Sequence, residues 1–234
     1  NARYLKEHDL IAIMIDGLEF ADKSVMVALG ITTQGKKLIL GLKSGDTENY
    51  EVCKDLLQNL ISRGLNTELP FLFVLDGSKA LKKAVLKVFG ENFPIQRCVR
   101  HKERNILSYL SKIHHLEFRR RWKMVHGMTS YSEALKEYKN LETWLKDKNH
   151  EAYQSLLEST METLTIIKLK AGIKLRKSLL STNCIESIFD QVRSQTNRVK
   201  SWKRSTDDVC RWAGANLLHI EETILNKINI KQEE

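Results

Sequence analysis

Two stretches decide how this chain is read: Leu10-Ile-Ala-Ile-Met-Ile-Asp16-Gly17 and Phe71-Leu-Phe-Val-Leu-Asp76-Gly77. Each is a short apolar run that closes on Asp-Gly. A run apolar at every position, bounded by a turn signal, is the pattern of a strand covered on both faces. Two such strands would deliver Asp16 and Asp76 to equivalent ends of one sheet. By itself, Asp-Gly predicts only a turn. Two copies on matching strands point instead towards a shared site.

Working outward, Ser24–Gly30 and Lys37–Leu42 read as further strands, joined by the turn signal Thr33-Gln34-Gly35. Strands one to three therefore form an antiparallel meander. Asp46 or Thr47 can cap a helix with Val52, Leu56, Leu60 and Ile61 on one face, ended by Gly64. A second helix spans Ser78 to Phe89, with Leu81, Val85, Leu86 and Phe89 inward. Pro94–Cys98 is a short fifth strand. The order is βββαβαβ, and strands four and five, reached through helices, should run parallel to the first.

From about Val99 to Leu180 helical spacing takes over. No proline follows Pro94, and Gly127 and Gly172 are the expected breaks. Two series carry the pattern: Ile106, Leu107, Leu110 and Ile113, then Ala134, Leu135, Tyr138, Leu141 and Leu145. After Ser181-Thr182-Asn183 a new helix puts Ile185, Ile188, Phe189 and Val192 inward. A last helix, Thr206 to Ile228, would bury Val209, Trp212, Ala213, Leu217, Ile220 and Ile224. The expected division is 1–113 for the first part of an α/β core, 114–180 for a helical insertion, and 181–234 for the core's C-terminal helices.

The 234 residues carry a net charge of +9, which favours a polyanionic partner such as double-stranded DNA. No apolar run is long enough to span a bilayer, so no membrane partner is expected. Cys53, Cys98, Cys184 and Cys210 show no pairing pattern, which fits a reducing cytoplasm. The chain opens at Asn1 rather than Met, as a fragment with a separate segment upstream would.

In a mixed sheet, ligands gather at the carboxyl ends of the parallel strands. Asp16 and Asp76 held together there repel each other unless a cation neutralises them. Mg²⁺, with Mn²⁺ as a substitute, suits an all-oxygen donor set and phosphodiester chemistry. Glu186, in the first turn after Asn183, is the candidate third ligand. Asn183-x-x-Glu186 is equally a capping box, and Asp190 on the same face is the fallback carboxylate. Arg193 and Asn197 share that face. Cys98-x-x-His101 invites zinc, with His114, His115 or His126 completing it. No second ligand pair at a recognisable spacing exists, which weighs against it. Two basic clusters, Arg119-Arg120-Arg121-Trp122-Lys123 and Arg198-Val-Lys200-Ser-Trp202-Lys203-Arg204, interleave cations with an indole. They suit phosphate contact, with Trp122, Trp144 or Trp202 as stacking candidates. Solvated basic faces and core tryptophans remain the plainer reading of both.

Ile15-Asp16-Gly17, Leu75-Asp76-Gly77 and Thr182-Asn183-Cys184-Ile185-Glu186-Ser187 together resemble the catalytic core of Mutator-type (MULE-like) transposases of bacterial insertion sequences. Gln96-Arg97-Cys98-Val99-Arg100-His101, Arg104-Asn105 and Arg211-Trp212 fit in the same order. The resemblance implies an RNase H-like mixed five-stranded sheet, with an all-α insertion before the last catalytic helix. It implies Asp16, Asp76 and Glu186 as a DDE triad holding two Mg²⁺ ions, with Cys98, His101, Arg104 and Asn183 beside it. It also implies DNA cleavage at transposon ends and strand transfer, by a homodimer on DNA in the bacterial nucleoid. A nuclease or resolvase of the same fold, or a non-catalytic DNA-binding copy, are the alternatives. Cys184, where the family has Ala, and Asp190-Gln191, where it has Asn and a basic residue, are departures.

Overall fold

The computed structural model describes residues 3–20, 23–45, 47–196, 206–223, 225 and 228. In chain order the elements are β1 (Leu10–Phe20), β2 (Lys23–Thr32), β3 (Lys37–Gly45), α1 (Tyr50–Ser62), β4 (Leu72–Leu75), α2 (Lys79–Phe89) and β5 (Ile95–Arg97). There follow α3 (Val99–Tyr109), a 3-10 turn at Lys112–His114, α4 (His115–Gly127), α5 (Tyr131–Lys148), α6 (His150–Leu157), α7 (Thr160–Thr163), α8 (Thr165–Lys168), α9 (Ile173–Leu179), α10 (Asn183–Thr196) and α11 (Thr206–Thr223). This is the βββαβαβ order read from the sequence, followed by helices.

The strands form one mixed sheet in the order β3-β2-β1-β4-β5. β1 pairs with β2 antiparallel and with β4 parallel, and β2 pairs with β3 antiparallel. Ala12 to Ile15, and every residue of β2 after Lys23, are buried, because helices cover what would otherwise be a solvated face. One compact unit comprises the described residues up to Pro94 and those from Thr182 onward; Ile95–Ser181 form the second.

Within the first unit, α1 packs on α2 and β3, α10 on β1 and α11, and α11 on β3. Ile185, Ile188, Phe189 and Val192 are all buried, as their spacing requires. Phe71, Phe73, Phe89 and Phe93 pack in edge-to-face and tilted pairs, their centroids 4.8 to 6.2 Å apart, and fix β4 against α2. Within the second unit α3 packs on α6, and α4 on α5. Phe118, Trp122 and Tyr138 fill that core.

Several details differ from the sequence reading. Leu86 of α2, expected inward, is exposed, and so is Ile113, which falls in the 3-10 turn rather than on a helix's inner face. Asp16-Gly17 does not end its strand: β1 runs on to Phe20, because the antiparallel ladder with β2 continues through Gly17↔Met26 to Phe20↔Lys23. The cap of α1 is Asn49, whose side chain accepts from the Val52 N–H at 3.0 Å, not Thr47; Asp46 lies outside the described residues. Trp212, expected inward, is 52% exposed, and α11 turns Val209, Ala213, Leu217 and Ile220 to the core instead. The last helix stops short of Ile228, whose N–H goes to the Gly35 carbonyl at 2.8 Å rather than to its own helix. Ile224 falls outside the described residues.

Candidate functional site

Parallel pairing of β1 with β4 sets Ile15 opposite Leu75. Asp16 and Asp76 are each one residue further on, so they stand side by side where the two strands run out of shared register. Asp16 is 8% exposed and its Oδ1 accepts the Gly17 N–H at 2.9 Å. Asp76, half-buried, accepts the Ser78 N–H at 2.9 Å, an Asx turn that leads into α2. Ser78 in turn caps α2, its Oγ accepting from the Leu81 N–H. Both carboxylates are thus held by backbone donors.

Glu186 lies in the first turn of α10, the helix packed on β1. The helix begins at Asn183, so Thr182, not Asn183, stands directly before it. The Thr182 hydroxyl donates to Glu186 Oε1 at 3.0 Å, and Glu186 N–H bonds the Thr182 carbonyl. Glu186 is half-buried, while Asn183 is exposed. Asp190 is exposed and paired with Arg193 at 2.9 Å, so it is the poorer third carboxylate. Among the described residues the ligand atoms of Asp16, Asp76 and Glu186 do not close as a set to within 4.8 Å. An all-oxygen donor set of three carboxylates fits Mg²⁺ or Mn²⁺ in kind.

A residue that sequence reasoning missed stands beside this pair. Glu48, just before the cap of α1, has its Oε2 3.4 Å from where a Cβ on Gly17 would lie. It takes a hydrogen bond from Ser78, while its Oε1 is shielded from solvent and has no hydrogen-bond partner. Burial pushes its carboxyl above the usual range, the Ser78 bond opposes that, and the charges of Asp76 and Glu19 add to it. The same field reaches Cys53, whose thiol is pushed up to about 12, chiefly by burial and further by Glu48 and Asp76. The only sequence signal for Glu48 is an acidic residue directly before a helix cap.

The other candidates lie in the second unit. Cys98 is buried and caps α3, its Sγ accepting the His101 N–H at 3.5 Å, and its sulfur lies within 4.8 Å of a ring nitrogen of half-buried His101. Arg104 is exposed one turn along. The histidines proposed to complete a zinc site are engaged elsewhere: His114 on Trp144, His115 with the Leu110 carbonyl, and His126 with the Trp122 carbonyl. Trp122 is a core residue, 2% exposed, and not a stacking platform. Arg119 pairs with Glu103, Arg120 and Arg121 pair with Glu117, and Arg121 also lies over the Trp144 ring at 5.4 Å. Lys123 is exposed. Arg198, Lys200, Trp202, Lys203 and Arg204, with Asn197, lie outside the described residues. No helix among the described residues is long and apolar enough to cross a membrane.

A sequence model described as "Transposase, Mutator family" matches residues 8–215. The chain is 28% identical to the transposase for insertion sequence element IS905 of Lactococcus lactis, over 74% of this chain and 43% of that protein. It is 27% identical to the transposase for IS6120 of Mycolicibacterium smegmatis, over 94% of this chain and 72% of that protein. To the transposase for ISRM5 of Rhizobium meliloti it is 29% identical, over 86% and 47%. The chain thus spans less than half the length of two of these relatives.

Proposed function

This chain belongs to the Mutator family of transposases, and from that premise we propose that it is the catalytic region of an insertion-sequence transposase. Its reaction would be DNA cleavage at transposon ends followed by strand transfer into target DNA. The fold would be RNase H-like, to which the strand order and the mixed sheet correspond. The observation that carries the reading is that Asp16 and Asp76 each stand one residue past Ile15↔Leu75, the last pair of the parallel β1–β4 ladder.

In this reading Asp16, Asp76 and Glu186 hold divalent cations, Mg²⁺ or Mn²⁺. Bound there, a pair of such ions would activate the attacking oxygen and neutralise the leaving one. The chain's own residues supply position. Gly17 and Ser78 N–H groups orient the two aspartates, and the Thr182 hydroxyl orients the glutamate. In cleavage a water oxygen bonds to phosphorus as the P–O3′ bond breaks, leaving a 3′-OH on the transposon end. In transfer that 3′ oxygen bonds to a target phosphorus as the target P–O3′ bond breaks. One phosphodiester replaces another, so orientation and charge neutralisation are the protein's main contribution. Basic side chains such as Lys123 and Arg104 would face phosphates, and two copies would join two ends.

A supercoiled plasmid incubated with Mg²⁺ and a pre-cleaved end oligonucleotide tests this. Joined product is expected. Cutting without joining would favour a nuclease of the same fold, and tight DNA binding without either would mark a non-catalytic copy.

A further inference from the structure

Glu48 has three features that its place in the chain does not explain. It comes from the loop ahead of α1, whereas Asp16 and Asp76 come from β1 and β4, yet it meets the flank of each. Its Oε2 lies against Gly17, the residue after Asp16. Its carboxylate shares Ser78 with Asp76: Glu48 is bonded by Ser78, and Asp76 Oδ1 takes the same residue's N–H. A Cβ at position 17 would stand 3.4 Å from Glu48 Oε2, ordinary contact distance, so the carboxylate comes up to the backbone of β1 itself.

The second feature is an uncompensated oxygen. Glu48 Oε1 is shielded from solvent and has no hydrogen-bond partner. A buried carboxylate oxygen left unpaired is costly, and native proteins leave few of them without an ion, a water or a proton in reserve. The third is the sign of its surroundings: the side-chain charges that act on Glu48 are those of Asp76 and Glu19, both negative. Asp16, Asp76 and Glu48 bring carboxylates from three elements to one corner, their ligand atoms not all within 4.8 Å of one another and no cation among the side-chain charges that act on Glu48; a divalent ion drawn between them would offset that repulsion.

We propose that Glu48 is a fourth carboxylate of the site, donating an oxygen to the divalent cation that Asp16 and Asp76 hold. The inference rests on the cation-binding reading of that aspartate pair. It assigns Ser78 a positioning role, since one residue orients both Asp76 and Glu48. Glu48 reaches the cation from the α1 side, so the loop before α1 becomes part of the cation-binding surface.

The test is Mn²⁺ binding to the full chain, followed by calorimetry and by the electron paramagnetic resonance signal of free Mn²⁺. Glu48→Gln keeps the shape and the Ser78 bond and removes the charge. Asp16→Asn serves as the reference for the pair. The expected result is at least a tenfold weaker Mn²⁺ affinity in Glu48→Gln, with a metal-free thermal midpoint no lower than that of the unaltered chain. Affinity within twofold of the unaltered chain, while Asp16→Asn loses binding, overturns the role of Glu48 and leaves the aspartate pair standing. Equal binding by the unaltered chain and Asp16→Asn overturns the cation reading of the pair, and this inference with it. Should Glu48→Gln not fold, Glu48→Ala, which removes the carboxylate altogether, carries the same comparison and is judged by the same two thresholds.

Discussion

Asp76 and Ser78 are joined through the backbone: Asp76 Oδ1 accepts the Ser78 N–H at 2.9 Å while Ser78 caps α2. In the proposed site Asp76 would add a charge to this backbone bond, and different substitutions separate the two. Asn keeps an oxygen for the Ser78 N–H and removes the charge; Ala removes both. Asp76→Asn is expected to fold with unchanged or raised metal-free stability, since it also relieves repulsion with Glu48. Asp76→Ala should lose about 1 kcal/mol for the missing hydrogen bond. Both should lower DNA cleavage by roughly a hundredfold or more, the scale of losing a ligand to a catalytic ion. Urea unfolding beside a cleavage assay checks this, and Asn-variant cleavage near that of the unaltered chain would remove Asp76 from the site.

His126 gives the second unit a pH dependence. It is buried among Trp122 and its neighbours, its Nδ1 on the Trp122 carbonyl at 2.9 Å and its Nε2 without a partner. Burial lowers its pKa to about 4, against the Trp122 bond, and Arg176 lowers it further. The folded pKa lies below the unfolded value, near 6.5, so the unfolded chain takes up the proton first. Stability should then be full above about pH 6.5, fall as pH drops, and level off near pH 4. At about 1.4 kcal/mol per pKa unit, the loss is on the order of 3 kcal/mol. Comparing His126→Phe with the unaltered chain isolates this from the carboxylates: the variant's unfolding midpoint should vary less between pH 6.5 and 4. Parallel curves would show that His126 is not the group responsible.

The legible parts of this fold are those where local pattern and tertiary fate agree. Ile185, Ile188, Phe189 and Val192 declare α10 by spacing alone, and Ile13 to Ile15 declare a strand buried on both faces. What escapes is set by distant chain. β1 passes through Asp16-Gly17 because β2 continues to pair with it, and no signal within the strand encodes that. Trp122, inside a run of cations, is buried by Phe118 and Tyr138, while Trp212, inside an apolar series, faces solvent. Periodicity gives a stripe its direction to within a residue or so, and the packing partner decides which edge is covered. Asp16 and Asp76 could be found from the sequence because each closes its own apolar run. Glu48 follows no such run, and only the approach of Gly17 and Ser78 brings it to them.

Gly35 closes the turn between β2 and β3 with a φ of +76°, and a Cβ there would lie 2.0 Å from the Ile228 carbonyl oxygen. The same turn receives the Ile228 N–H on the Gly35 carbonyl. Gly35→Ala thus meets an unfavourable backbone region and a collision with main chain that cannot turn aside, and is expected to cost at least about 2 kcal/mol. Gly127, at the end of α4 with nothing within 4 Å of where an added methyl would sit, is the contrast. Gly127→Ala should be neutral or stabilise by up to about 1 kcal/mol, through the unfolded chain. Equal effects of the two substitutions on the unfolding midpoint would refute the packing of Ile228 on the turn.

Lys102 Nζ is fully buried in the second unit, 3.1 Å from Ser155 Oγ and 3.2 Å from Glu158 Oε2. Burial lowers its pKa, and the bond and charge of Glu158 oppose that. Glu158 is itself 44% exposed, so water already serves much of its charge, and the pair carries an asymmetric load. Removing the carboxylate leaves the ammonium desolvated without its anion, whereas removing the ammonium leaves the carboxylate partly solvated. Glu158→Gln should therefore destabilise by about 1 to 2 kcal/mol, below the cost of breaking a fully buried pair. Lys102→Met, which fills a similar volume without charge, should be neutral or stabilising. Combining the two should restore most of what Glu158→Gln loses, because no buried ammonium remains to miss it. A Lys102→Met variant less stable than Glu158→Gln in urea would mean that the ammonium, rather than its alkyl stem, holds α3 to α6.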